Sequence, residues 1–105
     1  MPRPNVTLTL GPDPVQYGAT LTATVTGWTR DEPAWSHLVG FAADGDEAKD
    51  LESYAIVKDG VARFTIGPTP SWPQPSAGSG YVELGYWFRG TRFRVVADAD
   101  FEVLA

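Results

Sequence analysis

From Thr91 to Leu104 the chain reads Thr-Arg-Phe-Arg-Val-Val-Ala-Asp-Ala-Asp-Phe-Glu-Val-Leu, and two kinds of side chain alternate along it. One set is Phe93, Val95, Ala97, Ala99, Phe101 and Val103, and the other is Arg92, Arg94, Val96, Asp98, Asp100 and Glu102. The first set is apolar throughout, whereas the second is mostly charged. A period of two over this length predicts a long β-strand with one face on a core and the other in water.

The segment before this strand predicts its hairpin partner. Tyr81–Phe88 also alternates, and a two-residue type II′ loop centred on Gly90-Thr91 sets Phe88 opposite Phe93. The same register continues with three more apolar pairs, which are Tyr86–Val95, Leu84–Ala97 and Val82–Ala99. On the other face it sets Trp87 opposite Arg94, and we expect these two side chains to form a cation–π pair.

Five further runs predict the remaining strands of an all-β fold. They are Asn5–Leu10, Ala19–Gly27, Trp35–Ala43, Ser53–Lys58 and Val61–Ile66, with a type I′ turn at Asp59-Gly60 between the last two. We predict an immunoglobulin-like antiparallel β-sandwich of about seven strands, with no helix longer than about two turns. The chain forms one domain, 1–105, with an N-terminal arm at 1–4 and a Pro/Gly-rich loop at 67–80.

The inward positions of these strands predict the hydrophobic core. It comprises Val6, Leu8, Leu21, Ala23, Val25, Val39, Phe41, Phe64, Ile66, Val82, Leu84, Tyr86, Phe88, Phe93, Val95, Phe101 and Val103. With 105 residues, of which 43% are hydrophobic, the chain is long enough for one such core.

Composition excludes several classes of function. The chain has no cysteine, which excludes disulfides and thiolate metal sites. Its net charge of −5 repels phosphate, so no nucleic-acid partner is expected. No apolar run approaches the ~18 residues of a membrane span, and Met1–Pro4 lacks the apolar core of a signal peptide. We therefore expect no membrane association and synthesis in a cytoplasm.

Candidate catalytic residues are few. His37 is the only histidine and has no nucleophile elbow nearby, so we interpret it as a core or rim residue. Asp98 and Asp100 share one strand face, and paired carboxylates can cleave glycosides across about 5–10 Å. A strand face without a groove is a poor place for that reaction. The sequence thus predicts no enzyme, no catalytic residue and no cofactor.

Two polar segments leave alternatives open. Asp44–Glu52 carries five acids and can be a solvated loop or a calcium ligand set, although its spacing does not match a calcium loop. On Ala19–Gly27, four outward threonines are either β-branched strand filler or a recognition ladder like those of ice-binding proteins.

Tryptophans give the candidate binding residues. Trp87 has the outward parity of its strand, and Trp72 lies among four prolines in the 67–80 loop, where we expect it to be accessible. Exposed aromatic rings stack on sugars or anchor protein partners, and otherwise they pack under loops. Trp72, Trp87 and Arg94 are the predicted partner-binding residues.

Three short segments and the final hairpin carry a resemblance to a known family. The segments are Val-Thr-Leu-Thr-Leu at 6–10, Gly-Ala-Thr-Leu-Thr-Ala-Thr-Val at 18–25 and Asp-Gly-Val-Ala-Arg-Phe-Thr at 59–65. With them, residues 5–104 resemble the immunoglobulin-like domains on virion proteins of tailed phages, particularly those of actinobacteria. Six Arg against two Lys, together with twelve Ala, indicate a GC-rich genome, which agrees with that source.

The resemblance implies a non-catalytic structural protein of a phage virion. We expect a capsid decoration or accessory protein that displays the immunoglobulin-like domain, is made in the bacterial host cytoplasm and resides in the virion. Its expected partner is a capsid or tail protein, with a homo-oligomer as a further expectation. The alternative is a carbohydrate-binding or adhesive module that contacts host-surface glycans.

Overall fold

A computed structural model describes residues 6–42, 51–70 and 72–105. Within these residues the chain forms eight β-strands and no helix. The strands are β1 Thr7–Gly11, β2 Val15–Gln16, β3 Thr20–Thr26, β4 Trp35–Ala42, β5 Leu51–Ile56, β6 Val61–Thr65, β7 Gly78–Phe88 and β8 Arg92–Leu104. None of the described residues belongs to a helix that is long and apolar enough to cross a membrane.

The strands form two sheets, as the alternating sequence predicted. One sheet has the order β1-β3-β6, and the other has the order β2-β8-β7-β4-β5. All pairs are antiparallel except β2 with β8, which is parallel. The all-β, sandwich-like class is therefore confirmed. The predicted N-terminal arm at 1–4 lies outside the described residues.

Strand β2 is absent from the prediction because it has only two residues and directly follows the segment with Pro12 and Pro14. Gly11-Pro12 and Asp13-Pro14 are cis peptides, and Val15 and Gln16 follow them directly. The chain leaves β1 at this point and pairs with the end of β8 at Val103 and Leu104. A two-residue strand is too short to show a period in the sequence.

The turn at Asp59-Gly60 is confirmed, but it joins strands of different sheets. Both residues have positive φ, 54° and 77°, as a type I′ turn requires. Lys58 and Val61 exchange two backbone hydrogen bonds of 3.0 Å across the turn. Beyond this single bridge the strands diverge, since β5 pairs with β4 and β6 pairs with β3.

The core fills the space between the two sheets. Its fully buried members are Val15, Leu21, Ala23, Leu38, Ile66, Trp72, Val82, Leu84, Phe101 and Val103. Most of the predicted inward positions are buried, but Val15, Leu38 and Trp72 were not predicted to be. Val39 and Phe41 are only half-buried, because β4 turns the alternate residue Leu38 into the core.

The predicted register of the last hairpin is correct up to Leu84 of β7 and wrong between Gly85 and the hairpin turn. Leu84 pairs with Ala97 as predicted, but the register then shifts, so that Gly85 pairs with Val95 and Trp87 with Phe93. Val96 is the extra residue of a β-bulge. One inserted residue moves the side chains between the bulge and the hairpin turn to the face opposite to the predicted one. Consequently Phe93 is half-buried on the outer face, and Val95 is 45% exposed.

The loop of this hairpin has three residues, Arg89–Thr91, instead of the predicted two. Arg89 and Gly90 both have positive φ, 52° and 72°, and the Thr91 amide donates to the Phe88 carbonyl at 3.2 Å. Left-handed backbone at two successive positions is typical of a type I′ turn and does not occur in type II′. The longer loop and the bulge together set the observed register.

Candidate functional site

Four aromatic rings meet on the outer face of the five-stranded sheet. His37 lies on β4, Tyr54 on β5, Trp87 on β7 and Phe93 on β8, so each of these four strands contributes one ring. We call this cluster the aromatic patch. Its residues are far apart in sequence, and only the strand order brings them together.

The rings of the aromatic patch pack mostly at an angle. His37 and Tyr54 are stacked, with centroids 4.2 Å apart and planes inclined by 8°. Tyr54 and Trp87 lie 5.1 Å apart at 46°, and Trp87 and Phe93 lie 5.1 Å apart at 58°. Tilted aromatic contacts at these distances are favourable beyond the burial of area. The patch is therefore a packed unit and not a set of free side chains.

Gly85 provides the space that the patch occupies. It lies in the middle of β7, and the Phe93 ring covers it. A Cβ atom on Gly85 would come within 2.9 Å of the ring's Cζ. With no side chain at this position, Phe93 and Trp87 contact the Tyr54 ring, with centroids 5.4 and 5.1 Å from it.

The rim of the patch is apolar and open to solvent. Tyr54 is 41% exposed, Ile56 38% and Val95 45%. In the row that crosses the sheet at this level, Ile56 pairs with Trp35, Trp35 with Gly85, and Gly85 with Val95. Single exposed apolar residues are ordinary, but a contiguous group marks an interaction surface.

A hydrogen-bond contact between His37 and Glu83 lies at the base of the patch. Nδ1 of His37 lies 3.0 Å from Oε1 of Glu83, the residue opposite it on β7. His37 is only 9% exposed, which agrees with its interpretation as a core or rim residue. The contact holds the imidazole flat beneath Tyr54 and thereby orients the exposed phenol.

The half of the same face that lies away from the hairpin turn is acidic. Below the bulge, Asp98, Asp100 and Glu102 follow one another on the outer side of β8, and all are exposed. Oδ1 of Asp13 accepts a 3.0 Å hydrogen bond from the Glu102 amide. Asp13, Asp100 and Glu102 border a groove of about 630 Å³ whose apolar walls include Phe41 and Tyr81. The prediction of a strand face without a groove is therefore wrong.

Trp72 is buried, and the prediction that it is accessible is wrong. It is 1% exposed and packs against Tyr17 with ring centroids 5.4 Å apart. Its indole Nε1 donates to Ser76 Oγ at 2.7 Å, and the Tyr17 hydroxyl donates to the Trp72 carbonyl. The chain before β7 folds back and delivers this side chain into the core, and the predicted loop end at Gly80 is wrong because β7 begins at Gly78. We therefore remove Trp72 from the candidate site.

Arg94 does not stack on Trp87, so the predicted cation–π pair is wrong. Its guanidinium carbon lies 4.2 Å from the centroid of the Phe88 ring. The bulge at Val96 is the cause, because it places Arg94 and Trp87 on opposite faces of the hairpin. Trp87 does lie on the outer face, half-buried, as its parity predicted.

The opposite side of the hairpin is partly occupied within the chain. The Arg30 guanidinium lies 3.9 Å from the centroid of Tyr86, and Trp28 donates from Nε1 to the Glu32 carbonyl at 2.9 Å. A hydrogen bond to the Glu32 backbone, together with Arg30 at 3.2 Å, holds the pKa of the Glu32 carboxyl below its usual value. These contacts cover Tyr86, whereas Arg92, Arg94 and Val96 stay exposed.

The outer face of the three-stranded sheet carries threonines instead of aromatic residues. Thr7 pairs with Thr26 and Thr9 with Thr24, and these four side chains are exposed. The β-branched preference for strands accounts for these residues.

Metal sites are not formed in the part of the chain that the structure describes. Across residues 6–42, 51–70 and 72–105, no three His, Asp or Glu side chains are arranged to hold an ion. The acids of residues 44–50, which include most of the calcium alternative, lie outside the described residues, as does the side chain of Glu52.

Sequence reasoning missed Tyr54, Ile56 and Phe93 as members of the candidate site. Tyr54 and Ile56 alternate within the predicted strand Ser53–Lys58, but a lone strand does not reveal which of its faces is outward.

Comparison of the chain with protein-family models, with curated proteins and with solved structures gives no match.

Proposed function

We propose that the protein is a non-catalytic structural module that binds another protein through the aromatic patch. The observation that carries the proposal is the exposed apolar rim of Tyr54, Ile56 and Val95 around a rigid cluster of rings. Aromatic anchors surrounded by apolar contacts are the centres of protein interfaces. The packed rings have few rotamers left to lose, which lowers the entropic cost of binding.

The strand order supports an immunoglobulin-like topology for this module. Immunoglobulin domains place strands A, B and E in one sheet with D, and C, F and G in the other. In this chain β1, β3 and β6 share one sheet, and β4, β7 and β8 are neighbours in the other. β5 takes the place beside β4 that strand C′ has in variable-type domains.

Ring geometry favours a protein partner over a host-surface glycan, which is the alternative. Sugars stack on exposed, flat aromatic faces. Trp87 is half-buried, and its ring is tilted by 46° from Tyr54 and by 58° from Phe93. The patch therefore offers a ridged apolar surface and no flat platform.

The assembly that we propose for this module is a tailed-phage virion, in which it decorates the capsid or serves as an accessory protein. The resemblance of residues 6–10, 18–25, 59–65 and the final hairpin to domains of such particles supports this step. Many weakly bound copies can be retained on one particle, because multivalent contact raises the effective affinity. A small binding surface is sufficient under those conditions.

We expect that a double variant, Tyr54→Ala with Trp87→Ala, is lost from particles. Truncation of interface anchors weakens binding by about 2 kcal/mol or more, which corresponds to about 30-fold. The measurement is the amount of the chain in density-gradient-purified particles from cells that carry the gene, determined by quantitative immunoblotting. Circular dichroism must first show that the variant is folded.

A matched control lies on the other sheet. Thr9→Ala with Thr24→Ala truncates two exposed, paired side chains there and should leave particle occupancy unchanged. Absence of the parental chain from all particles would refute the virion assignment. Parental occupancy of the folded Tyr54/Trp87 variant would show that another surface docks. Binding of the purified chain to host-wall polysaccharide, abolished by the same variant, would support the glycan alternative.

A further inference from the structure

We propose that the hairpin of β7 and β8 binds an acidic segment of a protein partner on the side opposite to the aromatic patch. Arg89, Arg92 and Arg94 form this surface together with the ring of Phe88, and we call it the arginine cluster. The inference takes from the proposed function only that the partner is a protein. It adds a second contact surface with its own chemistry.

Three guanidinium groups share one side of the hairpin. Arg92 pairs with Phe88 across the hairpin, and Arg94, two residues further along β8, projects on the same side of the strand. The guanidinium carbon of Arg94 lies 4.2 Å from the centroid of the Phe88 ring, and that of Arg89 lies 5.2 Å from it. The ring therefore holds two of the three cations beside each other.

The cations of the arginine cluster are available to a ligand. All three arginines are exposed, and within residues 6–42, 51–70 and 72–105 none of them forms an ion pair. A guanidinium that lies over a ring makes this contact with its flat face, so the N–H groups at its edge remain to bind an anion. The cluster thus presents oriented donors to the solvent.

The neighbouring Arg30 shows how a cation in this setting binds a carboxylate. Its guanidinium carbon lies 3.9 Å from the centroid of Tyr86. Its Nε and Nη2 donate to Oε1 and Oε2 of Glu32 at 3.2 and 3.4 Å. Arg94 repeats the contact of guanidinium with ring on Phe88, which lies on the same side of β7 as Tyr86. A carboxylate from a partner completes the same arrangement there.

The distribution of charge favours a short acidic segment over an extended polyanion. Because the net charge of −5 includes the three positive charges of the cluster, the rest of the chain carries −8. The acids of β8 begin at Asp98, four residues beyond Arg94 and thus roughly 13 Å along the strand. Charges further apart than about 8 Å are largely screened at physiological salt. A nucleic acid that extended past the cluster would meet these acids, whereas a short segment would not.

Fluorescence anisotropy tests the inference, with a labelled oligoglutamate peptide of about ten residues titrated by the purified chain at low salt. Arg94→Glu is expected to raise the dissociation constant about tenfold, because it removes one ion pair and adds a repulsion. Arg63→Glu is the matched control, since Arg63 is an exposed strand arginine on the other sheet and the net charge changes equally. The control should raise the dissociation constant about twofold at most.

Phe88→Leu tests the contribution of the ring. The substitution keeps an apolar side chain and every charge, but it removes the ring on which Arg89 and Arg94 lie. We expect oligoglutamate to bind about threefold more weakly, because cation–π contacts no longer orient the guanidinium groups. Circular dichroism must show that the variant is folded. Parental affinity of the folded variant would overturn the inference, since the arginines would then act as unorganised charge.

Other results also decide the matter. A parental chain that binds no oligoglutamate up to about 1 mM overturns the inference. So does an equal loss of affinity in the Arg63 and Arg94 variants, or tighter binding of a single-stranded oligonucleotide of the same charge. A chain that loads onto particles but binds no oligoglutamate refutes the arginine cluster alone. A chain that binds oligoglutamate but is absent from particles refutes the virion assignment alone.

Discussion

Replacing Trp72 with alanine is expected to lower the free energy of unfolding by about 3–5 kcal/mol, a large part of the ~5–15 kcal/mol of such a domain. Trp72 is 1% exposed and fills the core between Tyr17 and Gly78. Truncation leaves a cavity and removes the donor to Ser76. Urea denaturation followed by circular dichroism measures the change, which should appear as a lower midpoint with an unchanged slope.

Trp87→Ala is the matched comparison for Trp72→Ala. It removes the same side chain from a half-buried position on the outer face, and no cavity forms in the core. We expect this variant to lose less than half as much stability as Trp72→Ala does. Equal midpoints for the two variants would contradict the placement of Trp72 in the core and of Trp87 outside it.

The two tryptophans show where sequence reasoning succeeds and where it fails. Trp87 lies in a long alternating run, so its parity places it on the outer face before any coordinates are known. Trp72 lies between prolines, where no period exists, and its burial depends on Tyr17, which is 55 residues away. Composition alone cannot reveal such a contact.

The bulge at Val96 limits the prediction of the site in the same way. Alternation in residues 91–104 is unbroken, yet the extra residue exchanges the faces of Phe93 and Arg94. The two-sheet class survives this change because it depends on the existence of strands. The predicted set of site residues is wrong in part, because a site depends on which side chains share a face. Gly85, opposite the irregularity, is the signal that was available, because a glycine inside a strand often marks a bulge.

Gly85→Ala is the second substitution with a large expected effect. A Cβ atom at this position would lie 2.1 Å from the carbonyl oxygen of Arg94, which is main chain and cannot rotate away. To relieve the contact, β7 and β8 must separate at the bulge, and the Phe93 ring must leave its place over residue 85. We expect a loss of about 3 kcal/mol, at the upper end of the range for overpacked sites. The urea midpoint again measures it.

Gly11→Ala is the control that separates this contact from the general effect of replacing a strand glycine. A Cβ atom on Gly11 would meet no atom within 4 Å, and Gly11 is a strand residue of β1 as Gly85 is of β7. The change in stability should stay within about 0.5 kcal/mol, as for an ordinary surface substitution. If Gly85→Ala were equally mild, β7 and β8 could separate at the bulge without loss of stability. The fixed position of Phe93, and with it the rigidity that we assign to the aromatic patch, would then be wrong.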